Sequence, residues 1–132
     1  MTKAWCIVGL PGSGKTTIAD HLAYDLEQPL IVDDIRTISE LPENGVFSDV
    51  IIIDPYFCVA TIREQARVIL MEKYGDVIWI FFENNAEKCL VNVRYRNDGF
   101  KVEGLVRLLT KEYAIPKDSD VRLIWQPEDD WR

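Results

Sequence analysis

Positive charge is in short supply: 15 Lys and Arg stand against 22 Asp and Glu in 132 residues, leaving a formal charge of −7. A body of that sign does not grip duplex nucleic acid by general electrostatics, which needs many Lys and Arg to displace phosphate counterions. It still leaves room for a local basic patch. Cysteine is also scarce. The three present (Cys6, Cys58, Cys89) form no spaced pairs and lie in apolar runs. That excludes a disulfide framework or a zinc site and predicts reduced, buried thiols in a cytoplasmic protein. No apolar stretch approaches the roughly 18 residues of a membrane span. The N-terminal region opens a strand that runs into a glycine loop and does not read as a signal peptide. Repeats, low-complexity tracts and Pro/Gly/Ser linkers are absent. The length predicts one domain over 1–132 with a core of its own.

What is present is a series of short apolar runs: Ala4–Val8, Leu30–Val32, Val50–Ile53, Val77–Phe82 and Val121–Trp125. Most are near-continuous rather than alternating, the pattern of strands covered on both faces. Between them lie stretches with helical spacing. Lys15–Leu26 carries Ile18, Leu22 and Leu26 on one stripe, and Thr61–Tyr74 carries Ile62, Ala66, Ile69 and Leu70. Ala86–Arg94, with Asn84 or Asn85 as N-cap, and Val102–Tyr113 complete the set. Loops are expected at Pro42–Ser48, Asn97–Lys101 and Pro116–Asp120. Strand–helix alternation of this kind predicts an α/β domain with a mainly parallel sheet and right-handed crossovers.

The first run leads into Gly9-Leu-Pro-Gly-Ser-Gly-Lys-Thr-Thr17, which matches the phosphate-binding pattern G-x-x-x-x-G-K-[ST] in its proper setting, after a strand and at the start of a helix. Gly12 and Gly14 can take backbone angles closed to other residues, so that successive N–H groups converge on a phosphate. The helix that follows adds its positive end. Lys15 is expected to reach the β- and γ-phosphates and Thr16 to offer its hydroxyl to Mg²⁺. Gly9, Pro11, Gly12, Ser13, Gly14, Lys15, Thr16 and Thr17 form the expected nucleotide-binding set.

The loop alone does not name a reaction. A GTPase would carry N-K-x-D and D-x-x-G, and neither string occurs; a transporter ATPase or helicase needs far more chain. The form G-x-P-G-S-G-K-T-T in so short a chain resembles the small nucleoside, nucleotide and polynucleotide kinases of the P-loop superfamily. The resemblance implies a three-layer P-loop NTPase fold with a five-stranded, mainly parallel sheet in the order 2-3-1-4-5 and helices on both faces. The second run ends in Asp33-Asp34-Ile35-Arg36, similar to the D-D-x-R segment of the 5′-hydroxyl polynucleotide kinase branch. That resemblance implies Asp33 as general base and Arg36 as a contact to the acceptor. From the residues alone, the same charges would serve equally to end a strand and cap the short helix suggested by Ile35–Leu41.

The third run ends in Asp54, a Walker-B-like carboxylate suited to Mg²⁺ beside Thr16, and Pro55 stops the strand there. Farther on, Cys89-Leu90-Val91-Asn92-Val93-Arg94-Tyr95-Arg96 resembles the C-L-x-R-N-x-x-R lid of these kinases, with Asn92-Val93 in place of the R-N pair. The resemblance gives Arg96 the role of neutralising the phosphoryl group in transit, with Arg94 as a second cation on the acceptor side. Gln126-Pro127 falls where related kinases pass the backbone around the adenine. His21 is expected at the surface or in packing, and Trp5, Trp79 and Trp125 in core or edge packing.

Only about sixteen residues, Asp34–Asp49, connect the second and third runs. That is too few for the helical insertion with which nucleoside-monophosphate kinases enclose an acceptor, so the acceptor side should be open. The leading expectation is an ATP- and Mg²⁺-dependent phosphotransferase that moves the γ-phosphate to an unidentified hydroxyl acceptor: a nucleoside, a nucleic-acid 5′ end or a small metabolite. The alternative is a P-loop nucleotide-binding module with weak or no ATPase activity, acting through a partner.

Overall fold

In a computed structural model, which describes residues 1–33, 38 and 40–127, the chain is an α/β fold built on one five-stranded sheet. The strands are β1 (Lys3–Val8), β2 (Pro29–Val32), β3 (Asp49–Ile53), β4 (Val77–Phe82) and β5 (Val121–Arg122). The helices are α1 (Lys15–Tyr24), α2 (Ala60–Tyr74), α3 (Ala86–Tyr95) and α4 (Phe100–Glu112), with a single 3-10 turn at Pro55–Cys58. The strand order is β2-β3-β1-β4-β5, and all four pairings are parallel, as the sequence leads one to expect. Right-handed crossovers fix the layers. The path from β1 through α1 to β2 runs toward one edge of the sheet, whereas β3 through α2 to β4 runs toward the other. Helix α1 therefore covers one face, and α2 to α4 cover the opposite one.

Beyond their first residues, Lys3 and Asp49, the central strands β1 and β3 are apolar because both faces are covered. Every residue of β3 is buried, as are Ala4, Cys6, Ile7 and Val8 of β1. Each fully buried Ile or Leu of this core makes truncation to Ala cost about 2–5 kcal/mol. Polar groups near the core are held. Arg63 of α2, almost fully buried, donates to the carbonyls of Phe57, Cys58 and Ala114 and lies 5.4 Å from the Phe81 ring centroid. Tyr113 donates its hydroxyl to the Phe82 carbonyl. The indole of Trp5 donates to Asp49 at 2.8 Å. Cys6, Cys58 and Cys89 are buried free thiols, as expected, and burial pushes all three up from their ordinary range.

Two expectations need correction. Of the run Val121–Trp125, only Val121–Arg122 is strand, because β5 meets β4 just at its end, with Phe81 beside Val121 and Phe82 beside Arg122. The rest leaves the sheet edge, and Ile124 is drawn in by an N–H bond of 2.8 Å to Glu83. The loop expected through Lys101 ends at Gly99 instead, since α4 begins at Phe100. At α3 the choice between two caps is resolved: Asn85 accepts from the Lys88 N–H, while Asn84 turns away to the carbonyls of Thr110 and Tyr113. The short helix suggested over Ile35–Leu41 lies largely outside the described residues.

Candidate functional site

The glycine loop spans the gap between Val8 at the end of β1 and Lys15 at the start of α1. It is closed by a bond of 3.1 Å from the Ser13 N–H to the Leu10 carbonyl. Gly14 caps α1 in the left-handed region, at φ 106, and no side chain bonds to the helix end. The first amides of α1 thus remain to meet an anion. At Gly12 two constraints coincide. Its φ is +87, and a Cβ there would stand 2.6 Å from the Cys89 carbonyl oxygen. The loop is seated directly on α3, and only glycine lets it approach that far.

Around this loop lies a cavity walled by Pro11, Gly12, Gly14 and Lys15–Thr17, with Pro55 and Arg96 on the far side. The Lys15 ammonium is folded onto the loop, donating to the carbonyls of Gly9 at 2.8 Å and Leu10 at 3.0 Å. Burial lowers its pKa to about 8, with the Arg96 cation adding to the shift and Asp54 opposing it. Thr16 and Thr17 are exposed. Arg96, at the C-terminal end of α3, is held by Asp98 at 2.8 Å. Arg94 instead turns outward to Glu103 of α4 at 2.9 Å, so Arg96 is the arginine of this pair that lines the cavity.

A second cavity adjoins the first through Gly14 and Thr17 and runs between α1 and the chain after β5. Its walls include Ile18, His21, Phe82, Leu123 and Trp125. This corrects one expectation. Trp125 is not a packing residue of a strand: it lies beyond β5, is 50% exposed, and lines this cavity. His21, although on the surface of α1, opens into the same space. Ser13, which also lines it, has a buried hydroxyl with no hydrogen-bond partner among the described residues. Such an orphan is costly unless a ligand or water answers it.

The lid segment also reads differently in three dimensions. Asn92 and Val93, which replace the R-N pair, are buried, so these positions face the glycine loop rather than a solvent-exposed lid. The Asn92 amide donates at 2.9 Å to the Gly12 carbonyl and at 2.7 Å to the Trp125 carbonyl. One side chain therefore joins the glycine loop to the wall of the second cavity. Sequence reasoning passed over this residue as a missing arginine; its position four residues before Arg96, on the face of α3 that carries Cys89 and Val93, was the available signal.

The two carboxylates leave the same edge of the sheet. Val32 pairs with Ile52, so Asp33, the exposed residue after β2, and Asp54, the buried residue after β3, emerge from neighbouring strands. Asp54 accepts from the Tyr56 N–H at 2.8 Å and so starts the turn that carries Pro55 into the phosphate-side cavity. Asp34 and Arg36 lie outside the described residues. Among the described residues no cluster of three or more His, Cys, Asp or Glu could cage a metal. The exposed Thr16 hydroxyl and the nearby Asp54 instead suit Mg²⁺, which is held largely by nucleotide phosphates and water with one or two protein oxygens. No helix among the described residues is long and apolar enough to cross a membrane.

The fold so defined is that of the P-loop kinases. A gluconokinase from Sinorhizobium meliloti 1021 superposes with a TM-score of 0.65 over 97% of this chain and 86% of its own, at 14% identity. A sugar kinase from Janibacter sp. HTCC2649 gives a TM-score of 0.60 over 98% and 90%, at 16% identity. Kti12 from Chaetomium thermophilum, solved in complex with ADP-AlF3, gives 0.57 over 97% and 92%, at 17% identity. In sequence, the chain is 32% identical to the uncharacterized protein R277 of Acanthamoeba polyphaga mimivirus over 133 residues, 91% of this chain and 95% of that one. It belongs to the family of that protein. No protein-family model matches it.

Proposed function

We propose that the chain is an ATP- and Mg²⁺-dependent phosphotransferase that moves the γ-phosphate of ATP to a hydroxyl acceptor. The observation that carries this reading is the cavity in which Lys15, Thr16 and Arg96 converge on the glycine loop. A kinase needs cations where charge spreads over the phosphoryl oxygens, and Lys15 and Arg96 both line the cavity that would receive them. The loop amides of Gly12–Gly14 and the N-terminus of α1 receive the phosphates. Lys15 exchanges its bonds to the Gly9 and Leu10 carbonyls for phosphate oxygens. The base lies in the second cavity, between α1 and Trp125, next to Gln126-Pro127.

Thr16 and Asp54 would hold Mg²⁺, which, when bound, neutralises phosphate charge and aligns the γ-phosphate. Asp33 takes the proton of the acceptor hydroxyl as its oxygen attacks, in keeping with the resemblance of Asp33-Asp34-x-Arg36 to the polynucleotide kinase segment. The kinase fold shared with the solved structures supports the reading, as does the turn after Asp54, which brings Pro55 to the wall of the glycine-loop cavity. The test is a screen of labelled γ-phosphate transfer to nucleosides, 5′-hydroxyl oligonucleotides and metabolites. Transfer to an acceptor, abolished in Lys15→Ala, supports a kinase; phosphate released to water alone, with Asp33→Ala indifferent, returns a nucleotide-binding module.

A further inference from the structure

The register that sets Phe81 beside Val121 and Phe82 beside Arg122 would next bring Glu83 beside Leu123. One rung of that continuation is made: the Glu83 N–H donates to the Arg122 carbonyl at 2.9 Å. In a parallel ladder the following rung would run from the Ile124 N–H to the Glu83 carbonyl. That N–H donates instead to the Glu83 carboxylate, at 2.8 Å. A side chain stands in for the backbone acceptor, and there the segment leaves the sheet. The carboxylate is itself held. The Lys88 ammonium of α3 donates to the same oxygen at 3.1 Å, and the Asn85 amide reaches the other at 3.5 Å. Burial raises the pKa of Glu83, but the Ile124 N–H, Lys88 and Asn85 together outweigh it and bring the carboxyl below its ordinary value.

Resting on the reading that places the base in the second cavity, we propose that Glu83 is a positioning residue for the nucleotide: its carboxylate fixes the wall against which the base lies. Leu123 and Trp125 line that cavity, and Glu83 and Lys88 do not. Between the two wall residues, Ile124 is the anchor, only 3% exposed beside a Leu123 that is 76% exposed. Beyond Arg122 no ladder holds this segment, because β5 ends there. Two side chains do so instead. Glu83 takes the Ile124 N–H, and Asn92 donates to the Trp125 carbonyl at 2.7 Å. A wall fixed before binding spares the nucleotide the cost of ordering it. The hold depends on reach as well as charge, since the carboxylate must span from the end of β4 to the Ile124 N–H. The phosphate half meets the glycine loop and Lys15, which are closed by bonds of their own. The influence of Glu83 therefore falls on the base.

The experiment compares two ligands on the full chain by calorimetry, ATP and inorganic tripolyphosphate, each with Mg²⁺. The second has the phosphates and no base. Two variants separate reach from charge. Glu83→Asp keeps a carboxylate beside Lys88 but is one methylene short of the Ile124 N–H. Glu83→Gln keeps the length and an acceptor oxygen but loses the ion pair. The unaltered protein should bind ATP more tightly than tripolyphosphate. In Glu83→Asp, ATP affinity should fall about tenfold while tripolyphosphate affinity stays within about twofold. In Glu83→Gln both should stay within about threefold. A merely structural role would weaken the two ligands in parallel, and that result overturns the proposal. So does a loss of ATP affinity in Glu83→Gln that matches or exceeds the loss in Glu83→Asp. If the unaltered protein binds tripolyphosphate as tightly as ATP, or binds neither, the reading of the base site fails and takes this proposal with it. If ATP is preferred and Glu83→Asp leaves that preference unmoved, only the role of Glu83 falls.

Discussion

The Asn92 side-chain amide donates to the Gly12 carbonyl at 2.9 Å, a contact between residues 80 apart in sequence that seats the glycine loop on α3. Its second bond, to the Trp125 carbonyl at 2.7 Å, uses the other proton of the same nitrogen. The glycine loop and the wall of the second cavity are thereby held by one buried group. In Asn92→Leu, which matches the volume but donates nothing, the Gly12 and Trp125 carbonyls lose this partner. We expect stability to fall by about 2 kcal/mol in urea unfolding and ATP affinity to weaken about tenfold by calorimetry.

Gly12→Ala tests the close approach itself. The added methyl would meet the Cys89 carbonyl at 2.6 Å, in a backbone conformation at φ +87 that alanine resists. The loop must lift from α3. ATP binding should be lost to calorimetry even where circular dichroism shows the helices retained.

The lowered pKa of Lys15, about 8 against 10.5 in an unfolded chain, gives a pH dependence of definite sign. Only the cation binds phosphate strongly. Above pH 8 the free protein must take up a proton when the nucleotide binds, rising to about one proton at pH 9. Calorimetry in buffers of different ionisation enthalpy measures it. The same shift means that between about pH 8 and 10.5 the unfolded chain holds more protons at this group, so its contribution to stability rises with pH across that window.

Arg63 provides the contrast, a cation without a nucleotide. Its guanidinium serves the carbonyls of Phe57, Cys58 and Ala114, so Arg63→Met should lower stability by about 3 kcal/mol. ATP affinity of the folded protein should change less than about twofold.

Much of this arrangement is legible along the chain. Continuous apolar runs gave away the parallel sheet because two covered faces leave no polar side. The glycine loop announced its place because strand, turn and helix must follow one another for the amides to converge. What escaped is what depends on contacts between distant residues. Asn92 looks like a lost arginine until α3 is laid against Gly12, and Trp125 looks like strand until β5 is found to stop at Arg122. For Arg36, the sequence resemblance is the whole argument.

The central claim is transfer of phosphate to a hydroxyl with Asp33 as the base, and a single comparison tests it most directly: γ-phosphate transfer by the unaltered protein and by Asp33→Ala, at saturating ATP and the best acceptor of the screen. The account predicts a fall in kcat of about 10²–10⁴-fold with ATP affinity unchanged. Equal rates in the two proteins would contradict it.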